Sequence, residues 1–372
     1  MKTLYLHIGT HRTATSSTQS FMHTNSDALA ARGVLYPFRT PRHMALFDAI
    51  FSGRKEVSAV AQDIEARAAK RRYKMHTVVL SDEDICMRAD LSRLAEFRET
   101  FNVKVVFALR RQDLWLESWY LQNIKWQWNR KLSHCTLAEF MERRGQFHWV
   151  DYNAYVGQLE AVFGRENVLP YVFEKEQMPE GPVAAFAQQI GLGSLDGLTP
   201  APHVNSSHSP MVSEFMRCLP LDEAPPHYRS KLEKACWMLD ETLVKSQADT
   251  SSLLISHDLR QSILAEHAPG NRALAQRYFG RDELFLAPVP GPDQAIAPMK
   301  LPESSYALMH EYVAPLIRGL IAQNLEKPGA STREEPDEDA GEAGPASPKR
   351  KAGPGKAKTQ PQRRRRKVEE PQ

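Results

Sequence analysis

The sequence predicts an α/β fold in which helices cover both faces of a mainly parallel central sheet. Short apolar stretches of strand length alternate with amphipathic stretches of helical period, as in strands joined by helical crossovers. The 372 residues are 42% hydrophobic and 25% charged, with a mean hydropathy of −0.48. This composition excludes a wholly disordered chain and a protein that spans a membrane several times.

The predicted elements follow in chain order. The first half gives a strand over Thr3–Ile8, a helix over Ala14–Ala31, an amphipathic helix over Val57–Arg72 and a buried strand over Thr77–Ser81. Next come a helix over Leu91–Thr100, the strongest strand signal at Val103–Leu109, a helix over Gln112–Gln127 and a strand over Val168–Phe173. Beyond about Pro179 the strand signals fade, which predicts extra helices in the C-terminal part.

A change in composition near residue 326 divides the chain. Residues 327–372 contain 12 Lys or Arg and 8 Asp or Glu, arranged as an acidic block followed by a basic one, and almost no large apolar side chains. Such a segment cannot bury enough surface to fold, so we expect one globular domain over 1–326 and a disordered tail. The tail is either a solvated extension or an arm for an anionic polymer or membrane surface. The remainder has a net charge of −1, so no dedicated nucleic-acid site is expected there.

The cysteines and the N-terminal sequence indicate the cellular compartment in which the protein is expected. The four cysteines are scattered, without a CxxC pair or a tight His/Cys cluster, so neither a disulfide framework nor a metal site is expected. The apolar run at the N-terminus meets Thr10 too early for a signal peptide. We expect a cytoplasmic protein, with peripheral membrane association left open.

The loop after the first strand, Gly9–Ser17, is rich in small hydroxyl residues and leads directly into a helix. Free N–H groups at a helix start, together with hydroxyls, form a cradle for an anion. A nucleotide triphosphatase loop would read G-x-x-x-x-G-K-[ST]. When this pattern is laid from Gly9, Ala14 occupies the position of the second glycine and Thr15 that of the lysine. The positively charged side chain of the loop is that of Arg12, three residues earlier. Phosphoryl transfer from ATP is therefore disfavoured.

A second anion element follows the strongest strand. Arg110 ends that strand, and Ser118 lies eight positions later on the next helix. A guanidinium at the strand end and a hydroxyl on the first turns of the helix can converge on one phosphate.

Together these elements resemble the bacterial, carbohydrate-type sulfotransferases that use 3′-phosphoadenosine 5′-phosphosulfate. The family stretch H-x-G-x-x-K-T-G-T-[ST] stands here as His7–Ser16, with Arg12 for the lysine and Ala14 for the glycine. Arginine keeps the charge but cannot deliver a proton, and Ala14 predicts a loop that avoids positive φ at that position. Arg110 and Ser118 have the spacing of the family's 3′-phosphate element.

The resemblance implies a P-loop-like three-layer fold, a donor site and no required metal. The residues implied to hold the donor are Arg12, Thr13, Ala14, Thr15, Ser16, Ser17, Arg110 and Ser118. Arg12 would also carry the charge at the leaving oxygen. The candidates for the general base are Glu83 and His43, with Asp82 behind them.

The acceptor implied is a carbohydrate or a glycolipid. Trp126 and Trp128 cannot share a helix face, so one of them is expected to be exposed, and tryptophan stacks well on sugar rings. Two other hypotheses stay open: a P-loop nucleotide kinase or phosphotransferase, and a non-enzymatic nucleotide-binding protein whose basic tail binds nucleic acid.

Overall fold

The computed structural model describes residues 1–201, 207–245 and 253–325. The predicted disorder of 327–372 lies outside the described residues. The domain boundary near 326 therefore stays a prediction.

Five strands form one all-parallel sheet. They are β1 Thr3–His7, β2 Val34–Leu35, β3 Thr77–Ser81, β4 Asn102–Leu109 and β5 Val168–Val172, in the order β2-β3-β1-β4-β5. The chain leaves β1 towards β2 and β3 on one side and later adds β4 and β5 on the other. A crevice opens where the direction of winding reverses, at the carboxyl end of β1. The predicted α/β fold with a parallel central sheet is confirmed.

Helices cover both faces of this sheet. They are α1 Thr15–Thr24, α2 Ser26–Ala31, α3 Met44–Phe51, α4 Val57–Ala69, α5 Gln112–Trp126, α6 Arg130–Ser133, α7 Leu137–Glu142, α8 Tyr152–Phe163, α9 Pro182–Gln189, α10 Pro210–Arg217, α11 Pro226–Lys245, α12 His257–Phe279, α13 Ser305–Ala307 and α14 Ala314–Leu325. None of the helices in the described residues is both long and apolar enough to cross a bilayer.

The two faces of the sheet have separate apolar cores, which makes three layers. Val105 and Phe107 of β4 belong to the larger core, whereas Val106 and Ala108 belong to the smaller one. The smaller core is packed by side chains of α1, α2 and α9. Strands buried on both faces explain why the sequence shows them as continuous apolar runs.

A buried ionic network ties the C-terminal helices to the sheet layer. Arg260 of α12 is 1% exposed, and its guanidinium contacts the carboxylates of Asp113 and Glu117 on α5. Arg111 pairs with the same Asp113 and donates to the carbonyl of Ala287. Removing one partner of such a network leaves a buried charge unpaired, which is costly. The network therefore fixes the start of α5, the helix that follows Arg110.

The structure differs from the predicted elements at three places. The helix predicted over Ala14–Ala31 breaks at Asn25, whose amide bonds the backbone of Phe21 and Thr199. The segment Ser92–Glu99 forms a 3-10 helix, and β2, with two residues, has too short a pattern to be recognised. Asn competes with helical hydrogen bonds through its side chain, which explains the break.

Candidate functional site

A cavity of about 350 Å³ opens at the carboxyl edge of the sheet. Its lining comes from the loops after β1, β3, β4 and β5 and from the adjoining helices: His11, Arg12, Ala14, Thr15, Ser16, Ser17, Glu83, Arg110, Gln122 and Phe173. Ligands of parallel α/β sheets bind at this edge, and this volume is within the range of small-molecule pockets. Seven of the predicted site residues are brought together here.

The loop after β1 has an unusual backbone. Gly9 has φ of 103°, and a side chain there would place its Cβ 3.3 Å from that of Glu83. Arg12 and Ala14 also have positive φ, of 64° and 58°. The prediction that the loop avoids positive φ at Ala14 is wrong, because the turn into α1 uses a left-handed residue there. An alanine in this region costs roughly 1–2 kcal/mol.

The turn at Ala14 exposes the start of α1 to the cavity. This helix has no side-chain cap, and its first internal donor is the N–H of Thr18, which bonds to the carbonyl of Ala14. The N–H groups of a helix's first turn have no partner within the helix and carry partial positive charge. Thr15, Ser16 and Ser17, which form that turn, all line the cavity.

Arg12 reaches from this loop to α5. Its Nε donates to Ser118 Oγ at 2.6 Å, its Nη1 to Gln122 Oε1 at 2.7 Å and its Nη2 to Ser207 Oγ at 2.6 Å. All three acceptors are neutral. Ser118 does not line the cavity itself, but its hydroxyl proton remains able to donate.

Arg110 is joined to Arg12 through the backbone. Its Nη1 donates to the carbonyl oxygen of Arg12 at 2.6 Å, and its own N–H donates to the Tyr152 hydroxyl. Burial, together with the charge of Arg110, lowers the pKa of Arg12 to about 10, and burial lowers the pKa of Arg110. Arginine side chains are not deprotonated at neutral pH in proteins, so both carry a positive charge.

The carboxylates nearest to this pair do not contact it directly: Glu117 and Asp113 oppose the lowering of the Arg110 pKa from a distance. Among the residues that the structure describes, neither arginine has a carboxylate oxygen within 4 Å of its guanidinium. The two partly buried guanidinium groups repel each other, and an anion between them would relieve that cost. The cavity therefore has two positively charged groups on its wall and one carboxylate, that of Glu83.

Glu83 supplies the carboxylate of the cavity. It is 6% exposed, Gln19 Nε2 donates to its Oε2 at 2.6 Å, and Arg42 Nη1 lies 3.3 Å from its Oε1. The neighbouring Asp82 accepts from Arg42 Nε at 2.7 Å, yet burial raises its pKa to about 6. Asp82 does not line the cavity.

His43 and Thr13 are not brought to the cavity lining. His43 is 2% exposed between the rings of Tyr36 and Phe38, and its Nδ1 accepts the N–H of Ser81 at 3.0 Å. Burial, with the nearby His23, lowers its pKa to about 3. The hydroxyl of Thr13 donates to the carbonyl of Thr10, which braces the loop from within.

Four residues of the site were missed from the sequence. His11 lines the cavity directly before Arg12, and its Nε2 lies 3.0 Å from Asp84. Gln122 is four positions after Ser118 and so on the same helix face, a signal that helical spacing could have given. Phe173 follows the end of β5, as Arg110 follows β4. Gln19 contacts Glu83 from α1, and nothing in the sequence pairs those two residues.

The site has no ready metal cluster within 1–201, 207–245 and 253–325: no group of three His, Cys, Asp or Glu is placed to hold an ion.

Comparison with known proteins adds three findings. No family model matches the chain. An uncharacterized protein of Archaeoglobus fulgidus is 24% identical over 205 residues, which are 54% of this chain and 53% of that protein. The chain thus spans about half the length of the curated relative that it matches. A solved sulfotransferase from Alicyclobacillus acidocaldarius aligns with 74% of this chain and 95% of its own, at 14% identity and a TM-score of 0.41.

Proposed function

We propose that the protein is a sulfotransferase that moves the sulfuryl group of 3′-phosphoadenosine 5′-phosphosulfate to an acceptor hydroxyl on a carbohydrate or glycolipid. The observation that carries this proposal is the pair of partly buried guanidinium groups of Arg12 and Arg110, neither in direct contact with a carboxylate among the described residues, in one cavity beside the start of α1. The loop has no lysine at Thr15, which speaks against a kinase.

The cavity's residues fit this donor. One anionic end can be held by Arg12, the hydroxyls of Thr15–Ser17 and the free N–H groups of the first turn of α1. Arg110 offers a second cation, and its guanidinium carbon lies 5.8 Å from the centre of the Phe173 ring. The Phe173 ring offers an apolar surface next to these charges. A nucleotide with two separate anionic groups and a flat base matches this set.

The bound donor would supply the sulfuryl group and a phosphate leaving group. Arg12 stabilises the negative charge that develops at the leaving oxygen, as pre-positioned donors do in acyl and phosphoryl transfer. Its three hydrogen bonds to neutral acceptors hold the guanidinium in place before the reaction. Arginine stays protonated throughout, so its contribution is charge and hydrogen bonding.

Glu83 is the general base of this proposal. Its carboxylate oxygen would accept the proton of the acceptor hydroxyl, which makes that oxygen a nucleophile. Gln19 and Arg42 contact the carboxylate and orient it. Of the two proposed bases, Glu83 lines the cavity, whereas His43 uses its Nδ1 as an acceptor for a backbone N–H.

A transfer assay tests the proposal. Purified protein is incubated with donor carrying labelled sulfate and a panel of oligosaccharides, glycolipids and phenols, with and without magnesium. We expect label on a sugar-containing acceptor in both conditions. Label transfer from γ-labelled ATP, with none from the sulfate donor, would establish the kinase instead.

The role of the tail and the cellular compartment are proposed separately from the enzyme activity. We expect the basic block after residue 326 to contact an anionic polymer or membrane surface in the cytoplasm. Deletion of 327–372 should then abolish salt-sensitive binding to heparin or DNA without changing transfer. Retained binding would show that the tail has no such role, and loss of transfer would place it in the enzyme's working site.

A further inference from the structure

The far end of α5 carries a stacked pair of indoles. The helix stops at Trp126, Gln127 turns the chain with φ of 46°, and Trp128 folds back over Trp126. The two rings are parallel within 2°, with their centres 5.7 Å apart. The side chain of Trp128 is 54% exposed, so the pair offers solvent a flat aromatic face.

The turn that makes this stack is held firmly. Gln127 is 3% exposed, and its Nε2 donates to the carbonyls of Met216 and Leu219 at 2.9 and 3.1 Å. Its Oε1 accepts the N–H of Asp222 at 2.9 Å. A left-handed glutamine is unfavourable by itself and persists only when its surroundings impose it. The position of Trp128 is therefore fixed by the fold.

A cation supports the stack from the helix. Lys125 Nζ lies 4.9 Å from the ring centre of Trp126 and 5.3 Å from that of Trp237 on α11, and it pairs with Glu233 at 3.3 Å. Cation–π contacts at exposed sites contribute about 0.5–1 kcal/mol, so Lys125 favours the observed position of the Trp126 ring.

The stack lies on the helix face that borders the cavity. Ser118, Gln122 and Trp126 are spaced at i, i+4 and i+8, which is one face of α5. Gln122 lines the cavity and accepts from Arg12. At 1.5 Å per residue, Trp126 is about 6 Å beyond Gln122 along the helix axis. A molecule with one end in the cavity mouth can therefore reach the indoles.

We infer that the stack of Trp126 and Trp128 is the acceptor platform, and that it takes the ring of a saccharide whose neighbouring residue presents its hydroxyl to the cavity. This inference rests on the proposed function. A sugar ring has an apolar face for an indole and hydroxyls at its edge for polar groups. Polar residues follow the indole in the sequence: Asn129, Arg130 and Lys131 are exposed, and Arg130 pairs with Asp222 and Glu223.

The surroundings of the Trp126–Trp128 stack disfavour a protein or an acyl chain as its ligand. The exposed ring of the stack is that of Trp128, and the patches that bind proteins are much larger than one indole. An acyl chain needs a continuous apolar groove, and polar residues border this indole. The structure therefore favours a single flat ring with polar edges.

The test uses Trp128→Ala in the full chain, with Trp128→Tyr as the conservative variant. Tyr73→Ala is the control, because Tyr73 is also an exposed aromatic residue, 46% exposed, but precedes β3 at the opposite edge of the sheet. Binding of labelled protein to an oligosaccharide array is measured with saturating 3′-phosphoadenosine 5′-phosphate. Affinity for that nucleotide is measured separately by calorimetry.

We expect Trp128→Ala to weaken array binding at least 10-fold, Trp128→Tyr to restore most of it, and neither to change nucleotide affinity. Array binding equal to wild type in Trp128→Ala would overturn the platform, as would transfer only to phenols or lipids that lack sugars. Failure of the nucleotide to bind any variant would instead count against the proposed function. A melting temperature equal to that of wild type would show that Trp128→Ala is folded.

Discussion

The guanidinium of Arg110 donates a hydrogen bond to the backbone carbonyl oxygen of Arg12, with 2.6 Å between Nη1 and O. This contact joins the end of β4 to the loop after β1, two segments that are 98 residues apart in the chain. It fixes two cations in one cavity and leaves both without a carboxylate partner in the described residues. The pairing of these two cations therefore follows from the sheet order, in which β1 and β4 are neighbours.

Replacing Arg110 should weaken donor binding. Arg110→Ala removes a charged hydrogen-bond donor, a loss of about 1.5–3 kcal/mol, which is about 10- to 100-fold in affinity. Calorimetry with 3′-phosphoadenosine 5′-phosphate measures this. The control is Arg93→Ala. Arg93 pairs with Glu56 and precedes β4 in the chain, whereas Arg110 follows β4 at the cavity. Equal affinity in both variants would remove Arg110 from the site.

Ala14 offers a stability test of the loop. Ala14→Gly relieves the positive φ at the cost of a more flexible unfolded chain, and we expect the free energy of unfolding to rise by about 0.5–1 kcal/mol. Ala66→Gly, the same change at an exposed position inside α4, should lower it by about 1 kcal/mol. Urea unfolding measures both. A decrease at both positions would show that Ala14 is not strained.

Glu83 is tested by separating chemistry from binding. Glu83→Gln keeps the size of the side chain but removes the base, so we expect kcat to fall about 100-fold or more. The affinity for 3′-phosphoadenosine 5′-phosphate should stay near that of wild type. Glu56→Gln, at a surface carboxylate, serves as the control. An unchanged kcat in Glu83→Gln would exclude it as the base.

Two buried histidines predict loss of stability in acid. Burial lowers the pKa of His7 to about 4, and burial with His23 lowers that of His43 to about 3. The unfolded chain therefore binds more protons below pH 6.5, and stability falls as the pH drops towards the folded values. Between pH 7 and pH 5 we expect a loss of roughly 1–2 kcal/mol for each histidine.

Urea unfolding at both pH values measures that loss. His43→Asn keeps an acceptor for the N–H of Ser81 but cannot take up the proton, so it should lose less stability than wild type over the same interval. An identical pH dependence in the two proteins would contradict the assignment to His43.

The sequence predicted most of the fold because buried parallel strands such as Val103–Leu109 leave a continuous apolar signal. It also placed Arg12 and Arg110 at strand ends, which the sheet brings to one edge. The backbone of Ala14 was not predictable, since the left-handed turn depends on how the loop meets α1. The pairing of Gln19 with Glu83 depends on packing between distant elements, which no local pattern records.

Calorimetry of the wild-type protein without magnesium tests the central claim most directly. The two-cation cavity predicts that 3′-phosphoadenosine 5′-phosphate binds with one site per chain, and more tightly than adenosine 5′-phosphate, which lacks the 3′-phosphate. Equal affinity for the two nucleotides, or binding of ATP with magnesium and not of 3′-phosphoadenosine 5′-phosphate, would contradict the account.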